Sequence, residues 1–146
     1  AETRAAGARI MLIADGDVSG VIATAWPQSG IDIYMGIGGA PQGVLAAAAL
    51  ACVGGQMQGR LVCRDESERK FARATGITDL EKKYDLADMA AGDVTFAATG
   101  VTNGAILRSV RREDGVTVTH SLVMRSRSGT LRYVESHHKF ANPMEL

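Results

Sequence analysis

Two short stretches hold residue types that could do chemistry. In "ADGDVSG" (14–20), Asp15 and Asp17 flank Gly16, and in "GIGGAPQG" (36–43) four glycines precede a long apolar run. Glycine is costly in conformational entropy, so a cluster marks either left-handed backbone or the close approach of another group. If a helix starts after the second stretch, its free N–H groups make a ready cradle for an anion. Asp15 and Asp17 add oxygens that suit sugar hydroxyls or a hard cation. Such a pairing fits a phosphosugar or a metal-bound phosphate. A structural reading stands beside it, because glycines at a strand–helix turn and a capped Asp-Gly-Asp turn are ordinary features of chains that bind nothing.

Competing motifs fail on spacing. A phosphate-binding Walker loop needs Lys-Ser/Thr after its last glycine, but Gly43 is followed by Val44. The dinucleotide pattern read from Gly36 puts Pro41 where the third glycine belongs, and Asp65 lies too far on to serve as its acidic partner. A nucleotide-binding reading is therefore weak. His120, His137 and His138 form no metal pattern, since neighbouring strand residues point to opposite faces. Arg125, Arg127 and Arg132 read as solvated charge that discourages edge pairing, and Lys82 and Lys83 as a solvated face.

The frame around these stretches is that of a globular protein. A chain of 146 residues predicts one domain over 1–146 with a real core. Zero net charge gives no overall field that would favour nucleic acid or an anionic membrane. The run Val44–Val53 is too short to span a bilayer. Cys52 and Cys63 lack metal or redox spacing and read as buried free thiols of a reducing compartment. With no apolar leader in "AETRAAGARI", the expected location is the cytoplasm. "AETRAAG" reads as the closing turns of a helix that starts without a cap, which suggests part of a longer protein.

Periodicity predicts the elements. "ARIMLIA" (8–14) reads as a strand, and "DVSGVIATA" as a helix capped by Asp15 or Asp17. "IDIYMGIG" (31–38) reads as a second strand, apolar on both faces as parallel strands are, followed by a helix from about Pro41 to Val53. That helix is apolar nearly all round and should be buried on more than one side. "GRLVCR" (59–64) reads as a third strand and "DESERKFARATG" as a polar helix ending on Gly76. A second helix is expected from Thr78, with Glu81 at capping-box spacing. "DVTFAATGVT" reads as a strand, "NGAILRSVRRE" as a turn entering a helix, and the stretch from Val116 to Phe140 as a hairpin turning near Ser128-Gly129. This order implies an α/β fold in which a mixed sheet is flanked by helices in α/β/α layers.

From Ala8 to about Phe140 the chain resembles the C-terminal part of class II fructose-1,6-bisphosphatases of the GlpX type. The resemblance rests on "DGDV" (15–18), "YMGIGGAP" (34–41), "GVLAAAAL" (43–50), "GGQMQGRL" (54–61), "DLADMA" (85–90) and "FAATGVTNG" (96–104), in family order. It implies the C-terminal half of a sugar-phosphatase-type layered sandwich. It also implies a phosphatase dependent on Mn²⁺ or Mg²⁺ that removes the 1-phosphate of fructose 1,6-bisphosphate, or of sedoheptulose 1,7-bisphosphate in some organisms. The family's substrate-binding positions fall on Asp15, Gly16, Asp17 and Gly39, which favours ligand approach over turn geometry.

Two departures qualify the resemblance. Where the family has a metal-binding glutamate in "GGAPEG", this chain has Gln42. The family's other metal ligands, and the loop that positions the water, lie in an N-terminal part outside this sequence. Alone, the chain is expected to be catalytically silent, with that N-terminal part and further copies of itself as partners. The alternative is a non-catalytic module, derived from such an enzyme, for phosphosugar sensing or assembly.

Overall fold

Alternation from Val116 to Arg125 dictates a strand with one dry and one wet face: Val118, Leu122 and Met124 fall on one side, Thr117, Thr119 and Ser121 on the other. The computed structural model describes residues 2–139 and builds its main sheet around this strand. In chain order the helices are α1 (Glu2–Ala5), α2 (Asp17–Ala23), α3 (Ala40–Val53), α4 (Glu66–Ala74) and α5 (Leu86–Met89). The strands are β1 (Gln58–Gly59), β2 (Tyr84–Asp85), β3 (Thr95–Thr99), β4 (Arg111–Glu113), β5 (Val116–Arg125) and β6 (Thr130–His138).

The chain is α/β, and every strand pairing among the described residues is antiparallel. β6 lines one edge of β5 from Thr117 to Arg125, while β3 and β4 share the other edge at its two ends. β1 and β2 form a separate two-stranded ladder. The expected hairpin is present and turns through Gly129, whose φ is +56°; its last expected residue, Phe140, lies outside the described residues.

Helix α3 packs on the dry face. Ala49 and Cys52 meet Phe96, Leu122, Met124 and, from α2, Ile22 in one cluster, while Ala46 and Leu50 pack with Val21 in a second. The helix is thus buried on two sides, as its composition predicts, although Val44 and Leu45 in its first turns are about half exposed. Gly54, at φ +86°, stops it. On the wet face the directly opposed Thr99 and Ser121 join hydroxyls at 2.8 Å. Leu122 is 1% exposed, so truncation to alanine there would cost about 2–5 kcal/mol.

Several expected elements are absent or different. Residues 8–14 and 31–38 form no strand, and 59–64 contributes only Gly59 to a ladder. Ile31 and Tyr34 are half-buried, Tyr34 against the cluster of Val21 and Leu50. Most of the other apolar side chains here are uncovered: Leu12 is 86% and Ile37 80% exposed, with Met11, Ile33 and Met35 also largely exposed. An apolar run predicts burial against something, and a strand needs a partner backbone. The described residues supply these segments with no partner strand and with only partial cover.

The helix expected at Thr78 does not form. Asp79 instead accepts the Glu81 N–H at 2.9 Å, a local bond that competes with the helix. The capping box lies further on, where Asp85 and Asp88 each accept the other's backbone N–H at the start of α5. Nor is there a helix after Asn103. That segment ends in β4, which turns into β5 through Asp114 (φ +50°) and Gly115 (φ +76°). An Asp-Gly pair ahead of an alternating strand is the signal for such a two-residue turn, and it outweighs the helical spacing upstream. Of the two free cysteines, Cys52 is buried and Cys63 only half-buried. No helix among the described residues is long and apolar enough to cross a membrane.

Candidate functional site

Two loops at the starts of α2 and α3 come together. At the first, Gly16 is the N-cap of α2 in the left-handed conformation (φ 76°, ψ 34°), where a glycine is needed. No side chain caps this helix, so the capping expected of Asp15 or Asp17 is not their role. The Asp17 carboxylate turns instead toward the second loop. Its Oδ1 accepts the Tyr34 hydroxyl at 2.8 Å, and its Oδ2 lies 3.1 Å from where a Cβ on Gly38 would stand.

In the second loop none of Gly36, Gly38, Gly39 and Gly43 has positive φ. These glycines are therefore not explained by turn geometry; neighbours crowd Gly36 and Gly38, while at Gly39 only the movable end of Gln42 stands in the way. A side chain on Gly36 would strike the Tyr34 hydroxyl, one on Gly38 the Asp17 carboxylate, and one on Gly39 the Gln42 amide oxygen. Gly39 is the N-cap of α3 (φ −68°, ψ 151°) and accepts the Gly43 N–H through its carbonyl at 3.1 Å. Pro41, in the first turn, removes a donor that would have no helical partner there.

Of the sequence-predicted residues, Asp17, Gly39 and Gln42 gather around this junction, with Gly16 setting the turn into it. Asp15 is exposed and takes no part in these contacts. Tyr34 is the residue that sequence reasoning passed over. It lies in the "YMGIGGAP" stretch, but its link to Asp17 spans 17 positions and has no local signature. Burial first, and then the Asp17 hydrogen bond and charge, push the Tyr34 hydroxyl above its ordinary pKa, so it remains a neutral donor.

A hard cation needs several oxygen ligands, carboxylates among them. Among the described residues no three His, Cys, Asp or Glu side chains are grouped to hold one, and Gln42 offers a neutral amide oxygen. The residues present do not by themselves fit the Mn²⁺ or Mg²⁺ implied by the resemblance. The histidines lie elsewhere: His120 stacks on Tyr133 at 5.3 Å and accepts the Arg108 N–H, and His137 meets Glu135. A cleft of about 850 Å³ borders Tyr34 and Gly36 and is walled by Val21, Met57 and Leu86. It includes none of Asp15, Asp17, Gly39 or Gln42, so the junction is a surface feature beside the cleft.

Comparison with known proteins agrees with the motif reading. Residues 1–138 match the family described as bacterial fructose-1,6-bisphosphatase, glpX-encoded. The chain is 40% identical to a D-fructose 1,6-bisphosphatase class 2/sedoheptulose 1,7-bisphosphatase of Synechococcus sp. (strain JA-2-3B'a(2-13)), over 94% of this chain and 43% of the relative. A protein of the same description from Synechococcus elongatus is 42% identical, over 95% of this chain and 44% of its own length. The chain thus spans under half the length of these curated relatives. On its motifs and on these matches, it belongs to the glpX-encoded bacterial fructose-1,6-bisphosphatase family.

Proposed function

We propose that this chain is the substrate-binding half of a metal-dependent phosphatase that hydrolyses the 1-phosphate of fructose 1,6-bisphosphate, and in the same way acts on sedoheptulose 1,7-bisphosphate. The observation that carries this reading is the approach of the Asp17 carboxylate to Gly38, which joins the "DGD" and "GIGG" loops into one surface. The backbone N–H groups at the start of α3 receive a phosphate, with Gly38 and Gly39 adding no side chain of their own to obstruct it. Asp15 and Asp17 accept hydrogen bonds from sugar hydroxyls, and Gly16 sets the turn that presents them. The cation, which would polarise the phosphoryl group, is held by residues in the rest of the relatives' length. That remaining length is also the partner that covers Met11, Leu12, Ile33, Met35 and Ile37, and the complete enzyme works in the cytoplasm.

Steady-state kinetics of a full-length enzyme carrying this chain test the reading. Asp17→Asn should raise the KM for fructose 1,6-bisphosphate about tenfold, since a carboxylate bonded to a substrate hydroxyl is replaced by a neutral amide. An unchanged KM would remove Asp17 from the site. Gln42 favours a second reading, in which the module senses phosphosugars without hydrolysing them. Full-length protein that binds the bisphosphate yet releases no phosphate with Mn²⁺ would select it.

A further inference from the structure

We propose that Tyr34 is a positioning residue for substrate binding: it holds the Asp17 carboxylate in the orientation that the sugar phosphate meets. The proposal rests on the reading of Asp17 as a substrate-binding residue. Its first support is the division of labour between the two carboxylate oxygens. Oδ1 is taken by the Tyr34 hydroxyl at 2.8 Å, while Oδ2 faces the Gly38 backbone. A carboxylate fixed through one oxygen presents the other at a defined place. Because a phenol is a neutral donor, it orients Asp17 without neutralising it.

The second support is the seat of the ring. Gly20 lies inside α2, where glycine is less favourable than alanine, and its φ is not positive. A Cβ there would stand 2.9 Å from Tyr34 Cε2 and 3.0 Å from both Tyr34 Cδ2 and Ile13 Cδ1. At Gly36, also without positive φ, a Cβ would lie 2.8 Å from the Tyr34 hydroxyl oxygen and 3.2 Å from Cε1 and Cζ. Two glycines that backbone conformation does not require thus leave room for the two edges of one ring. A helix that gives up stability at Gly20 to admit Tyr34 fits a role for Tyr34 beyond filling space.

The test is a double-variant cycle on a full-length enzyme that carries this chain, with fructose 1,6-bisphosphate as substrate. Tyr34→Phe keeps the ring and removes the hydroxyl, so KM should rise about fivefold while kcat stays within about twofold. Gly20→Ala should displace the ring, and the hydroxyl with it, and so raise KM in the same way without removing the hydroxyl. In the Asp17→Asn background, Tyr34→Phe should add nothing further, because the group it orients is already altered. If Asp17→Asn leaves KM unchanged, the binding role of Asp17 fails and the proposal with it. If Asp17→Asn raises KM and Tyr34→Phe does not, the positioning role alone is overturned. Independent effects that multiply in the double variant, or a lowered melting temperature at unchanged KM, overturn it as well.

Discussion

The Gln42 side-chain amide oxygen lies over the α-carbon of Gly39, in the space that a Cβ on that residue would fill. A residue in the first turn of α3 thus folds back toward the loop, although it remains exposed. Glutamate at this position should reach the same place with a full negative charge. In a full-length enzyme, Gln42→Glu is expected to lower the Mn²⁺ concentration for half-maximal activity, by about tenfold, because hard cations respond to ligand charge. If the side chain lies outside the metal's reach, the substitution adds only a helix-dipole contribution of about 0.3–1 kcal/mol. Superimposable Mn²⁺ titrations of the two proteins would then show that Gln42 is no ligand.

The same contact sharpens what valine would do at Gly39. The backbone there (φ −68°, ψ 151°) is open to any residue, so a side chain brings no conformational strain. What it meets is the end of the Gln42 side chain, which can swing aside. Gly39→Val should therefore shift the melting temperature by no more than about 3 °C, the effect of about 1 kcal/mol on a domain of this size. Binding of the bisphosphate should weaken at least about tenfold in calorimetry, since a branched side chain would cover the N–H groups proposed to receive the phosphate. Equal affinity in the variant would return Gly39 to a purely structural role.

Acid should lower the stability of the fold through three exposed carboxyls. The Glu68 N–H beside Asp65, the Lys82 ammonium beside Asp88 and the Arg111 guanidinium beside Glu135 each hold a carboxyl below its ordinary pKa. A group whose folded pKa lies below its unfolded value binds fewer protons when folded, so lowering the pH favours the unfolded chain. Stability from these groups is present above the ordinary carboxylate range and is lost as pH falls through their folded values. The urea midpoint should drop between about pH 5 and about pH 3, with a shallower drop in Asp65→Asn. A parallel pH dependence in that variant would mean that the Asp65 cap contributes nothing to the acid limb.

What could be read from the sequence divides along the range of the interactions. Helix α3 was legible because Gly39, Pro41 and Gly54 punctuate a continuous apolar run, and the β5–β6 hairpin because alternation brackets a turn. The Asp114–Gly115 turn was equally local, but helical spacing upstream concealed it. The pairing of Tyr34 with Asp17 was not legible, since no local rule joins positions so far apart. The glycines of "GIGG" fell between: their unusual density was plain, but only the fold separates positive φ from crowding. The strand expectation at residues 8–14 and 31–38 failed for another reason. Composition signals that these residues are meant to be buried, and it says nothing of which chain segment buries them.

That last point leads to a prediction about those two segments. Met11, Leu12, Ile33, Met35 and Ile37 are all largely exposed, in stretches that join no ladder among the described residues. Backbone amides without hydrogen-bond partners exchange with solvent at close to unprotected rates. Within these stretches the Ala8 N–H bonds the Thr3 carbonyl oxygen and the Ile31 N–H bonds Ser29 Oγ. In the 146-residue chain it is therefore the amides of residues 9–14 and 32–38 that should exchange fastest outside the ends, well ahead of those in β5 and α3. In a full-length protein the remaining part of the enzyme should cover this apolar surface, and both segments should gain protection of about 100-fold or more, the mark of a buried and paired backbone. Hydrogen exchange read by mass spectrometry on the two proteins makes the comparison directly. Protection that is already high in the short chain would mean that these residues pair among themselves. Protection that rises with the concentration of the short chain would assign the surface to contact between copies of it.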